Sequence, residues 1–211
     1  MSAGIDTLPN PLQEPVARWR ERYGESRHAD ALTRLVACSE YAGNALLRDK
    51  TWFEENIDTF ADAPAAASLD ALVTDIGNSD ADTADVQSRL RIFRHRFLVH
   101  VLWREVFGLA DLDETLTSLS LLADRMLDAA CRFAERSFLP RYGIVRDAAG
   151  ERVPLVVLGM GKLGGRELNF SSDIDLVFLY PDDGTTDGAK QVSAQEYFGR
   201  LTRQVIALLD E

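Results

Sequence analysis

Two aspartates, Asp173 and Asp175, stand one residue apart at the opening of an apolar run at residues 176–180. Before them lies Gly159-Met160-Gly161-Lys162-Leu163-Gly164-Gly165, which follows a first apolar, β-rich run at 153–158. In a strand, side chains two apart share a face, so both carboxylates project together while Ile174 turns inward. Carboxylates ~7 Å apart repel by roughly 2–3 kcal/mol at an effective dielectric of about 20. A divalent cation relieves that conflict, and hard oxygen ligands suit Mg2+ or Mn2+. Such a metal holds nucleotide phosphates and neutralises charge as a phosphoryl group transfers. The glycines let backbone amides approach phosphate oxygens, and Lys162 adds a mobile positive charge. Each piece alone has an ordinary explanation: a tight turn, a solvated strand edge, a surface lysine. Together, with about a dozen residues from Gly161 to Asp173, they match a catalytic arrangement.

Two other phosphate-binding readings fail on spacing. Gly159 to Gly164 spells G-x-G-x-x-G after a strand, the pattern of a dinucleotide fold. A parallel crossover must return the length of a strand, ~17–20 Å. Residues 163–169 as a helix give only about 10 Å at ~1.5 Å per residue. The acids also precede the second strand, where a ribose-binding carboxylate should follow it. A P-loop is excluded because Lys162 is not followed by Ser or Thr. The expectation is a pair of neighbouring antiparallel strands joined by a glycine loop and one helical turn.

The elements that position this stretch read as helix. Residues 1–15, with Pro9, Pro11 and Pro15, are expected to be a mobile lead-in. Helical spacing starts at Val16 with Trp19 and Tyr23. Asp30 is a candidate N-cap for the next helix, which breaks near Gly43. Short helices follow around Trp52–Phe60 and residues 69–76. The strongest pattern spans 83–107, where Val86, Leu90, Phe93, Phe97 and Val101 fall on one face. A second long helix is expected over 112–139, ended by Pro140 and Gly143, and the short connection favours an antiparallel hairpin. The basic run from Arg89 to Arg96 reads as a solvated face paired partly with acids, and His95 and His100 are poorly spaced for a metal. Ser193 is a candidate cap for a last helix through Tyr197, Leu201, Val205 and Leu208. The domain division expected is 1–150, helical, and 151–211, carrying the strands.

Composition sets the outer bounds. The 211-residue chain is 46% hydrophobic and 27% charged, an ordinary globular balance. Its net charge of −11 disfavours nucleic acid as a partner. Cys38 and Cys131 match no metal spacing and read as small core cysteines. No apolar stretch approaches the ~20 residues of a membrane span, and the N-terminus does not read as a secretory signal, so a cytoplasmic protein is expected.

The full wording, GMGKLGGRELNFSSDIDLVF, resembles the signature of the glutamine synthetase adenylyltransferases, within the nucleotidyltransferase superfamily built on the DNA polymerase β palm. The segment from Leu90 to Phe97, Trp103-Arg104-Glu105, and Gln195-Glu196-Tyr197-Phe198 are similar to that family too. The resemblance implies an α+β fold, a mostly helical N-terminal segment followed by a partial polymerase β-like core. It implies Asp173 and Asp175 as catalytic metal ligands for Mg2+ or Mn2+, and Gly161, Lys162, Gly164 and Ser172 as contacts to nucleotide phosphate. Glu167 is read as orienting the turn. Substrates would be ATP or ADP and inorganic phosphate; the partners would be glutamine synthetase and a small nitrogen-signalling protein. The wording resembles the copy that removes AMP from an adenylylated tyrosine by phosphorolysis. The AMP-attaching activity and a non-catalytic docking module are the alternatives. The superfamily carries a third carboxylate on a later strand. The chain stops at Asp210-Glu211 before any such strand, so this segment alone is expected to turn over little.

Overall fold

The computed structural model describes residues 5–171 and 173–210. A 3-10 turn at Ile5–Thr7 precedes α1 (Asn10–Tyr23), α2 (Ala29–Cys38), α3 (Glu40–Arg48) and α4 (Lys50–Asn56), the last running into a 3-10 turn at Ile57–Ala61. Then come α5 (Ala66–Gly77), α6 (Thr83–Val106) and α7 (Leu112–Tyr142). The remainder alternates: β1 (Val145–Arg146), β2 (Val156–Gly159), α8 (Gly161–Gly164), β3 (Leu176–Leu179), β4 (Thr185–Thr186) and α9 (Ala194–Leu209). Helix dominates, and the strands form two antiparallel pairs, β1 with β4 and β2 with β3. The fold class is therefore a mostly helical α+β, as the sequence implied. Two compact units make up the chain: residues up to Pro64 with Arg94–Thr115, and Ala65–Phe93 with everything from Leu116 onward.

The first unit packs α1 to α4 and residues 94–106 of α6 around Trp19, Tyr23, Leu32, Leu35, Leu46, Phe53, Phe60 and Val99. Helix α1 begins at Asn10, earlier than the lead-in expected over residues 1–15. Pro11 falls in its first turn, where a missing N–H costs little, and burial of Val16, Trp19 and Tyr23 carries the helix past Pro15. His28, not Asp30, occupies the N-cap of α2. The break expected near Gly43 comes at Ser39 instead, whose hydroxyl accepts from Ala42 N–H at 3.2 Å and caps α3. Gly43 stays helical because Trp19 lies on it. A Cβ there would stand 3.2 Å from Trp19 Cδ1, and the Gly43 carbonyl accepts Trp19 Nε1–H at 2.8 Å.

Arg104, only 6% exposed, ties this unit together. Its guanidinium meets Glu114 at 2.6 Å and also donates to the carbonyls of Ala61 and Leu109. The histidines serve packing. His95 Nδ1 lies 2.6 Å from the Tyr41 hydroxyl, and His100 stacks on Phe60 at 4.3 Å. Burial pushes the His100 pKa down. Arg96 pairs with Asp49 at 2.6 Å, so part of the basic run is neutralised by a neighbouring acid. Cys38 is exposed, contrary to the core reading.

In the second unit α5, residues 83–93 of α6, residues 116–142 of α7, and α9 bury Leu69, Ile76, Val86, Leu90, Leu119, Leu122, Phe133, Leu201, Val205 and Leu208. Helix α7 runs past Pro140 to Tyr142, and Gly143, at φ 68°, ends it. Arg89 pairs with Asp75 of α5 and with Asp85. Ser193 caps α9 by accepting from Glu196 N–H at 3.2 Å. The strands β1 and β4 went unread in the sequence because long-range contacts make them. Asp187 Oδ1 accepts Ile144 N–H at 2.9 Å, its Oδ2 meets Arg146 at 2.6 Å, and Gly188 packs on the end of α7.

Candidate active site

The antiparallel pair β2–β3 builds the site. Its register sets Val156 against Leu179, Leu158 against Val177 and Gly159 against Leu176. One more ladder bond, Met160 N–H to the Asp175 carbonyl at 2.8 Å, carries the pairing to the mouth of the hairpin. One face of the pair is partly covered, with Tyr180 just beyond β3 stacked on Phe198 of α9 at 4.9 Å. The other face, Val156, Leu158, Met160, Val177 and Leu179, is exposed. Cross-strand partners share a face, so Asp175, opposite Met160, belongs to that exposed side.

The glycines of α8 have separate physical reasons. Gly161 has φ 54°, a left-handed conformation that side chains disfavour. A Cβ on Gly164 would stand 2.6 Å from the Gly159 carbonyl oxygen, so the turn reaches β2 only because Gly164 has none. Leu163 fills the space above Gly159 and is buried. The turn then closes as a Schellman motif. Glu167 N–H bonds to the Lys162 carbonyl at 2.8 Å and Arg166 N–H to the Leu163 carbonyl at 3.1 Å. Glu167 acts here through its backbone, and Arg166 takes the left-handed position at φ 57°.

This geometry brings a carboxylate to the glycine turn. Asp175 Oδ2 lies 3.8 Å from where a Cβ on Gly161 would be. Asp173 lies two residues upstream of Asp175, before β3 begins, and is exposed, as are Asp175 and Lys162. Ile174 is 44% exposed rather than turned inward, because the ladder stops at Asp175 and no core element covers the residue before it. Exposure also lets water screen the carboxylate pair more than its sequence spacing suggests. Ser172 lies outside the described residues. Among the described residues no group of three or more His, Cys, Asp or Glu side chains gathers to hold a metal. The residues present fit a divalent cation that takes two carboxylates and fills its remaining positions with water and phosphate oxygens. Burial pushes the Cys131 thiol up to about 12, which disfavours its thiolate form. No helix among the described residues is long and apolar enough to cross a membrane.

Sequence reasoning passed over Ser120 and Arg166. Ser120, a buried hydroxyl in an apolar stretch of α7, accepts Leu168 N–H at 3.4 Å, and Arg166 faces Asp124 of α7 at 3.8 Å. Ser120 had a faint signal, a polar residue within Leu119-Ser120-Leu121-Leu122; Arg166 had none.

β2, the glycine turn and β3 form one antiparallel hairpin that sets the Asp175 carboxylate beside Gly161. The sequence model of the glutamate-ammonia ligase adenylyltransferase family matches residues 29–211. A protein of Thioalkalivibrio sulfidiphilus is 38% identical over 218 residues, covering 98% of this chain and 22% of its own length. One from Stenotrophomonas maltophilia is 38% identical over 180 residues, covering 85% and 18%. One from Xanthomonas campestris pv. campestris is 47% identical over 124 residues, covering 59% and 13%. Each is named a bifunctional glutamine synthetase adenylyltransferase/adenylyl-removing enzyme. The chain belongs to the glutamate-ammonia ligase adenylyltransferase family. It spans about a fifth of the length of the curated relatives it matches.

Proposed function

We propose that this chain carries the adenylyl-removing nucleotidyltransferase site of its family, acting on adenylylated glutamine synthetase. The observation that supports it most is the carboxylate of Asp175 beside Gly161, held there by the Met160–Asp175 ladder bond. Asp173 and Asp175 would hold Mg2+ or Mn2+, which neutralises charge on the phosphates. Lys162 and the first-turn amides of α8, which a helical turn leaves without intrahelical acceptors, orient phosphate oxygens. An oxygen of inorganic phosphate attacks the adenylyl phosphorus. The bond from phosphorus to the tyrosine oxygen breaks, the phenolate takes a proton, and ADP leaves. A lysine beside the glycine turn suits a site that must admit free phosphate as well as a nucleotide. The direction of transfer is supported by the wording of the motif.

The test is a full-length family protein carrying this segment, given adenylylated glutamine synthetase, Mg2+ and phosphate, and followed for ADP. Asp173→Asn and Asp175→Asn should each abolish ADP formation with the fold intact. ADP formation that survives both removes the carboxylates from the chemistry. Loss of AMP attachment with ADP formation unchanged assigns the segment to the opposite reaction.

A further inference from the structure

Of the described residues from Gly161 to Asp175, only Leu163 and Leu168 are buried. They anchor the stretch at two different places. Leu163 sits on β2 over Gly159. Leu168 sits on α7, where its N–H donates to Ser120 Oγ, and Ser120 is 0% exposed. Hydroxyls of Thr33, Thr74 and Thr202 donate to carbonyls four residues back in their own helices. That of Ser120 accepts from a backbone amide 48 residues further on. One turn along α7, Asp124 faces Arg166, the residue whose left-handed backbone ends the glycine turn. Both α7 contacts therefore fall on the short link that joins the glycine turn to Asp173.

We propose that Ser120, assisted by Asp124, is a positioning residue for the metal and phosphate site. The inference rests on the nucleotidyl-transfer reading. Asp175 is fixed independently, through Met160. For Asp173 no such ladder bond is seen; among the described residues upstream of it the last buried one is Leu168. Removing the Ser120 hydroxyl strands a buried amide and releases the link, so Asp173 loses its set distance from the glycine turn while Asp175 keeps its own.

The test uses the 211-residue chain with Mn2+ as the probe and ADP present, together with hydrogen exchange. Ser120→Ala is expected to weaken Mn2+ binding roughly tenfold and to speed exchange at Leu168 by a similar factor, with α9 unchanged; tenfold is what one lost buried hydrogen-bond partner gives. Ser120→Thr, which keeps an acceptor oxygen, should restore most of the affinity. Mn2+ affinity in Ser120→Ala within twofold of the unsubstituted chain, when Asp175→Asn abolishes binding, overturns the positioning role and leaves the site reading intact. Mn2+ binding untouched by Asp175→Asn overturns both. If Ser120→Ala opens α9 as well, Asp124→Asn takes its place. A two- to threefold weaker Mn2+ affinity then supports the seat on α7, and an unchanged one overturns it.

Discussion

Gly164 and Gly165 are neighbours with opposite expected responses to alanine. A Cβ on Gly164 would lie 2.6 Å from the Gly159 carbonyl oxygen, a backbone atom that no side-chain rotation can move. The turn must retreat from β2, carrying Leu163 and Gly161 with it. Overpacking of this kind costs about 1–3 kcal/mol. Gly165 sits at φ −80°, ψ −5°, an ordinary right-handed conformation, and a Cβ there meets nothing closer than 3.6 Å. Alanine at 165 should be neutral or stabilise by up to about 1 kcal/mol, through a less flexible unfolded chain. The assay must see the second unit. All three tryptophans, Trp19, Trp52 and Trp103, lie in the first, so intrinsic tryptophan fluorescence is the wrong probe. Hydrogen exchange at the β2 and β3 amides under mild urea reads it directly. Exchange should be faster in Gly164→Ala and unchanged or slower in Gly165→Ala. Equal behaviour of the two variants would refute the claim that Gly164 is there for close approach.

Three further outcomes follow from particular side chains. Arg104→Met should destabilise the first unit by about 3–5 kcal/mol in urea unfolding, because it strands partly buried Glu114 and two carbonyls. Asp187 accepts Ile144 N–H and pairs with Arg146, which hold its carboxyl below its ordinary value of 3.8. The stability this gives is present above that value and lost as pH falls through the lower, folded one. The unsubstituted chain should therefore lose more stability on acidification than Asp187→Asn, and parallel pH–stability curves would contradict it. Iodoacetamide at pH 8 should label exposed Cys38 in the folded chain, whereas Cys131, its thiol raised by burial, should react only after unfolding.

What could be read in advance was what local pattern decides. Val86, Leu90 and Phe97 recur at helical spacing, and they are buried on α6. Ser193 stands where a cap belongs, and it caps. The spacing test that rejected a crossover left an antiparallel pair, and β2–β3 is one. What went unread depends on partners distant in sequence. Gly43 looks like a breaker until Trp19 is seen lying on it. Pro15 looks like the edge of a lead-in until the burial of Val16 and Trp19 is weighed. Thr185 and Thr186 form a strand only because Val145 and Arg146 lie opposite. In the site, alternation misjudged Ile174, which is exposed because the ladder stops at Asp175. Nothing local could show that Ser120, far back in the chain, receives the amide of Leu168.

The most direct measurement is ADP formation from adenylylated glutamine synthetase and phosphate by a full-length family protein carrying this segment, with and without Asp175→Asn. ADP formation should be Mg2+-dependent, and the substitution should abolish it while the β2 and β3 amides stay protected. ADP formed at the unsubstituted rate by that variant would contradict this.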